Sequence, residues 1–328
     1  MKQSAVHYVL LGAMIVVLPG CHFEHNVIRR VCITKKYDSL ATELDVDAYD
    51  SDIFSAHVGQ EPRTITIWIH GTQFYAHDQI LFHELFKEQA CLKHFTAIPQ
   101  GCDLRETAHV LITSAPSIFA AEDFYIFGWS GSLSFSARQE ASKNLYSEIQ
   151  KLQKEYVLAY GQLPLIRIVS HSHGGNVVLG MAKLNSADQP SFCVDQLIML
   201  ACPVQEHTKH NIKHAMFKQT YSLYSRLDIM QIIDPQGLYG PEGIWRTAFL
   251  SERRFPSDKR VHQMKIRMNK RAITHHEFIL PTFLEQLAIV INEIDIWQRQ
   301  KSFDAYKIRG IRHLISIETK GRRPRIIA

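Results

Sequence analysis

PLIRIVSHSHGGNVVLGMAK, residues 164–183, is the stretch from which the fold is read. It opens with Leu165, Ile166, Arg167, Ile168 and Val169, a short apolar run that predicts a buried strand. It closes on Gly175 to Ala182, small and apolar residues that predict a helix. Between them lies Ser170-His171-Ser172-His173-Gly174-Gly175. A strand that turns through glycine directly into a helix puts Ser172 on a tight, strained turn. The free N–H groups of the helix start lie behind its hydroxyl. The residue two before such a serine is usually glycine. Here it is Ser170, small but with less freedom in φ.

Upstream, Thr64 to Ile69 alternates β-branched and apolar residues and predicts a strand running into His70-Gly71-Thr72-Gln73. Gly71 allows the chain to turn so that the N–H of Thr72 or Gln73 faces Ser172. His70 reads as a structural residue beneath that turn. Residues 78–94 predict a helix capped by Asp78, and residues 108–115 predict a strand. Phe124 to Phe127 predicts another strand, ending in Gly128-Trp129-Ser130-Gly131. Residues 136–160 carry Ala141, Leu145, Ile149 and Leu152 at helical spacing, and Gly161 and Pro164 stop that helix. Strand, helix, strand in this order is a crossover between parallel strands.

Downstream, residues 194–200 predict a strand, 206–217 a helix and 220–225 a strand followed by Arg226-Leu227-Asp228. Residues 234–258 read as a surface excursion. Residues 261–268 predict the last main strand, followed shortly by His275-His276. Residues 281–297 predict a final helix with Leu284, Leu287, Ile291 and Ile294 on one face. Residues 314–317 predict a small added strand.

Acyl transfer by a serine needs a base, a group that orients the base, and donors for the oxyanion. The chain offers Ser172, then Asp228, then His275 or His276, each just beyond a predicted parallel strand, where such sheets place their ligands. Asp234 is the rival acid, although the following Pro235 makes it a turn cap as readily. On these residues, roughly Thr64 to Trp297 resembles the α/β-hydrolase superfamily, in its lipase and carboxylesterase branches. Trp129-Ser130-Gly131 with Arg138 is similar to a group of uncharacterised bacterial hydrolases of the same fold.

The resemblance implies an α/β-hydrolase fold: a mostly parallel central sheet with helices on both faces. It further implies a serine esterase with Ser172 as nucleophile, Asp228 as acid and His275 as base. His276 is the alternative base. The oxyanion donors would be the backbone N–H groups of His173 and Thr72. No cofactor is called for. The substrate expected is a small-molecule or lipid ester. A thioesterase or acyltransferase using the same residues is an alternative, as is an inactive hydrolase fold that serves as a binding protein.

Several residues have blander readings. His171 and His173 with His275 and His276 have ligand-like spacing, but acyl transfer explains a serine between them better than a metal does. His171 is expected to pack behind the turn. Trp129 is either core or pocket wall, and Arg138 either solvated or a pin for the Trp129 loop.

The N-terminus reads separately. Met1-Lys2, a mostly apolar run from Val6 to Leu18, and Leu18-Pro19-Gly20-Cys21 form an export signal over residues 1–20. Its end resembles a bacterial lipobox, which implies acylation of Cys21 and a lipid anchor in the cell envelope. Residues 21–63 lead into a domain over 64–300, and a basic tail fills 301–328. The chain has 328 residues, 46% hydrophobic and 21% charged, as in an ordinary globular protein. A net charge of +5 with little clustering gives no case for nucleic acid. Arg322-Arg323-Pro324-Arg325 reads as a solvated end or a lipid head-group contact. Of the six cysteines, Cys91 and Cys102 are close enough in sequence to pair in an oxidising compartment, and Cys202 reads as a core thiol.

Overall fold

The computed structural model describes residues 61–72, 90–185, 191–228, 230, 254–300, 313–317 and 325–327. All belong to the unit Asp50–Ala328, the larger of the two into which the chain divides. The N-terminal signal with Cys21, together with Gln73, Asp78 and Asp234, lies outside the described residues.

In chain order the strands are β1 (Thr64–Ile69), β2 (Cys91–His94), β3 (Phe124–Gly128), β4 (Leu165–His171), β5 (Gln196–Leu200), β6 (Thr220–Tyr224), β7 (Val261–Met268), β8 (Arg271–Ala272), β9 (His313–Ile317) and β10 (Arg325–Ile327). The helices are α1 (Asp103–Ser114), α2 (Phe135–Tyr160), α3 (Gly174–Gly180) and α4 (Pro281–Gln300). The described strands make one ten-stranded sheet in the order β10-β9-β7-β6-β5-β4-β1-β3-β2, with β8 paired to β7. From β3 through β7 to β9 every neighbour is parallel, while β2, β8 and β10 pair antiparallel. The protein is an α/β protein with a mostly parallel central sheet.

Alternation along the strands separates two apolar layers. Ile65, Ile67, Ile69, Ile166, Ile168, Leu197 and Met199 pack with α2 and α3. Trp68, Ile126, Val169, Ile198 and Leu200 face the other way, with α1 and α4. Helix α2 begins at Ser134, whose hydroxyl accepts from Ala137 N–H, and ends at Gly161 with φ 68°. The sheet register sets Ile69 beside Ser170 and Ser170 beside Met199. The loops that follow β1, β4 and β5 therefore emerge together at one rim.

Four expectations need correction. Residues 108–115 are not a strand but the greater part of α1. Val110, Ile112 and Thr113 favour strands locally, yet Leu104, Ala108, Leu111 and Ile112 recur at helical spacing and are buried. The end of the expected 78–94 helix is β2, where Cys91 to His94 pairs with β3 at the sheet edge. Residues 206–217 form only a short 3-10 turn over Lys209–Lys213, since Phe217 is taken up by a parallel bridge to Val194. Cys91 and Cys102 do not form the expected disulfide. Cys202 is buried in the layer beneath α3. Within 301–328, β9 and β10 extend the sheet.

Candidate active site

Ser172 follows β4 directly and has φ 52°, the left-handed region that non-glycine residues rarely occupy. Its N–H donates to Leu200 O at 2.8 Å, and its carbonyl accepts from Gly175 N–H at 3.0 Å. These two bonds tie the turn to the end of β5 and to the first turn of α3. The loop after β1 presses against it. A Cβ added at Gly71 would lie 2.6 Å from Ser172 Cβ, and one at Gly174 would lie 2.6 Å from His70 O. Both positions need glycine because backbone or Cβ atoms pass within what a side chain would occupy.

His70 fixes that loop. Its Nδ1–H donates to Gly71 O at 2.8 Å and its Nε2 accepts from Trp129 N–H at 3.2 Å, which sets the neutral tautomer. Trp129 returns an indole N–H to His70 O at 2.9 Å. Burial holds the His70 value down to about 4. Trp129, 2% exposed, therefore belongs to the scaffold of the rim. Thr72 lies one residue beyond Gly71, and its Oγ1 is buried without a hydrogen-bond partner among the described residues.

Asp228 lies four residues past β6 and is fully buried. His275 Nδ1–H donates to its Oδ1 at 2.8 Å. His276 is exposed. The histidine that meets Asp228 is therefore His275. The imidazole of His275 lies against His171, with ring centroids 4.7 Å apart, and His171 Nε2–H donates to the His275 carbonyl at 3.2 Å. Burial depresses the values of both His171 and His173, the residues on either side of Ser172, and the nearby His275 adds to it in smaller part. His173 is held at about 3. His275 thus lies beside His171, the residue before Ser172. Ser172 Oγ makes no hydrogen bond among the described residues. The geometry gathers Asp228, His275 and the Ser172 turn at one rim, with the serine–histidine bond still unmade.

Three supports were not read from the sequence. Glu277 accepts from Thr274 N–H at 2.7 Å and Thr274 Oγ1 at 3.0 Å, and it pairs with Arg271. Arg271 is the main cause that lowers Glu277 to about 2. This clamps the loop that carries His275, and Thr274-x-x-Glu277 has the spacing of a capping box. Gln205 Nε2 lies 3.5 Å from His173 Nδ1. Arg138 is not solvated. It is 4% exposed, 4.9 Å over the Phe135 ring, and donates to Gln205 Oε1 at 3.4 Å.

Among the described residues no group of three or more His, Cys, Asp or Glu side chains is placed to hold a metal ion. None of the described helices is long and apolar enough to cross a membrane. No protein-family model matches the chain, and comparison with curated proteins returns no match.

Proposed function

We propose that the protein is a serine hydrolase of the α/β-hydrolase superfamily that cleaves carboxylic esters, lipid esters among them. The observation that carries the reading is Ser172 at φ 52° between a central parallel strand and a helix, on the rim where His275 meets buried Asp228. A strained serine is held there by two backbone bonds and a glycine contact, and strain of that kind concentrates at reacting groups.

Asp228 Oδ1 accepts a hydrogen bond from His275 Nδ1–H, which leaves Nε2 as the basic nitrogen. In the reaction His275 Nε2 removes the hydroxyl proton as Ser172 Oγ attacks the ester carbonyl. The N–H groups of His173 and Thr72 take the oxyanion. The alcohol leaves with the proton held on His275, and an acyl-Ser172 remains. Water, deprotonated by the same nitrogen, then releases the acid. Buried Asp228 stabilises the imidazolium in both halves. The neutrality of His171 and His173 leaves His275 as the proton carrier beside Ser172. The export signal and Cys21 belong to the same proposal: an enzyme held on the cell-envelope membrane by acyl chains, with its rim in water.

The test is covalent. A fluorophosphonate probe should label the wild-type protein, and Ser172→Ala should abolish the labelling while leaving the melting profile of a folded protein. Labelling that persists in Ser172→Ala refutes the assignment.

A further inference from the structure

A concavity opens on the α2–α3 side of the sheet, near the turn that carries Ser172. Its volume is about 290 Å³, and Phe135, Arg138, Asn176, Lys183, Gln205 and His207 are among its walls. That is the lower end of the range for ligand pockets, room for a small group. Its described lining includes the basic side chains Arg138 and Lys183 and no acidic residue. Arg138 lies at the buried end and Lys183 at the exposed side. A guanidinium offers a planar fork of donors that matches a carboxylate or a phosphate, and a lysine adds a mobile point charge. Phe135, with His207 edge-on at 4.7 Å, and Leu184 supply an apolar wall.

The cavity is joined to the serine turn through one side chain. Gln205, 1% exposed, accepts from Arg138 through Oε1 and reaches His173 Nδ1 through Nε2 at 3.5 Å. The residue after Ser172 is therefore bridged to the buried cation. We propose that this cavity binds the carboxylate or phosphate group of an anionic ligand, and that this group is the charged end of the ester substrate. The second clause rests on the hydrolase reading; the first does not.

Two arms separate them. In the binding arm, Ser172→Ala protein is titrated calorimetrically with succinate and with inorganic phosphate. At least one should bind, and Arg138→Gln in the same background should weaken it roughly tenfold or more, the loss of a charge-assisted hydrogen bond. In the kinetic arm, 4-nitrophenyl hydrogen succinate is compared with 4-nitrophenyl butyrate, a neutral ester of similar length. The ratio of kcat/KM for the anionic over the neutral ester should fall roughly tenfold in Arg138→Gln and a few-fold in Lys183→Gln. Lys183 is exposed, so its variant reports even if the buried Arg138 change prevents folding. Binding of succinate rather than phosphate names a dicarboxylate-type ester, and the reverse names a phosphate head group. Absence of binding by both anions overturns the site. Binding with an ester ratio that neither variant moves overturns the substrate assignment. Binding without turnover of either ester keeps the anion site and sinks the hydrolase reading.

Discussion

Acid should unfold this protein from its rim. Three histidines there, His70, His171 and His173, are buried, and burial lowers all three from the ordinary 6.5: His70 to about 4, His173 to about 3 and His171 well below its usual value. In the unfolded chain each takes up a proton near pH 6.5, whereas in the folded chain none does until far lower. Between those limits the unfolded state binds more protons, so stability rises with pH and is lost as pH falls from about 7 toward 4. For one such histidine, moving from pH 7.5 to pH 5 costs about 2 kcal/mol, and three cost about 6 kcal/mol. A domain of ordinary stability holds about 5–15 kcal/mol, so most of the margin goes in this interval. The depressed value of Glu277 acts in the same direction but below pH 4.5, outside the window. The assay is urea unfolding at steps from pH 7.5 to 5. The slope near pH 5 should correspond to about three protons taken up on unfolding, or about 4 kcal/mol per pH unit. His173→Gln should lower that slope by about one proton. A stability that changes by less than about 2 kcal/mol over the interval would show that these histidines are charged or solvated in the folded state, and the neutral-rim argument would be wrong.

Three further outcomes follow from the same geometry. Gly174→Ala drives a methyl to 2.6 Å from His70 O and 2.8 Å from Ile69 O, both backbone atoms, and should cost about 1–3 kcal/mol or more in thermal melts together with most activity. Asp228→Asn keeps the shape but removes the charge that fixes the Nδ1–H tautomer of His275 and stabilises its imidazolium, and should lower kcat on a nitrophenyl ester by on the order of 10⁴ with circular dichroism unchanged. His171→Phe keeps a ring against His275 but removes the Nε2–H bond to its carbonyl; kcat should drop roughly 10–100-fold with KM little altered, and an equal rise in KM would contradict a positioning role.

What the sequence made legible was whatever local pattern encodes directly. β1, β4, β7 and α2 coincide with their apolar periodicity, and Gly161 ends α2 where its left-handed φ is needed. The chain order Ser172, Asp228, His275 was readable because each follows a strand, and parallel strands bring such positions to one edge. That His275 and not His276 meets Asp228 was readable only from a motif. It depends on a loop clamped by Glu277 to Thr274 and Arg271, contacts that span a few residues but are set in three dimensions. Arg138 was illegible for a different reason. A charged residue at helical spacing reads as solvated, and only the approach of Gln205 from the loop after β5, 67 positions away, shows that the side is covered. α1 was misread because its β-branched residues speak locally, while its burial against the layer shared with α4 is a tertiary effect that overrides propensity.

The departure at Ser170 shows where the crowding in this turn lies. Glycine two residues before such a serine relieves a close approach, and its replacement ought to strain the turn. In this fold Ser170 sits within β4, fully buried, with its Oγ 3.4 Å from Ile198 O. The close approaches fall on other residues: the loop after β1 crosses at Gly71, where an added Cβ would lie 2.6 Å from Ser172 Cβ, and Gly174 lies against the carbonyls of Ile69 and His70. The left-handed conformation of Ser172, a cost of about 1–3 kcal/mol, is thus imposed from both neighbouring strands, by the loop of β1 through Gly71 and by β5 through Leu200 O. In the hydrolase reading this has a mechanical consequence. The loop that carries Thr72 and the turn that carries Ser172 and His173 are in van der Waals contact through two glycines, so the oxyanion donors and the nucleophile cannot shift independently.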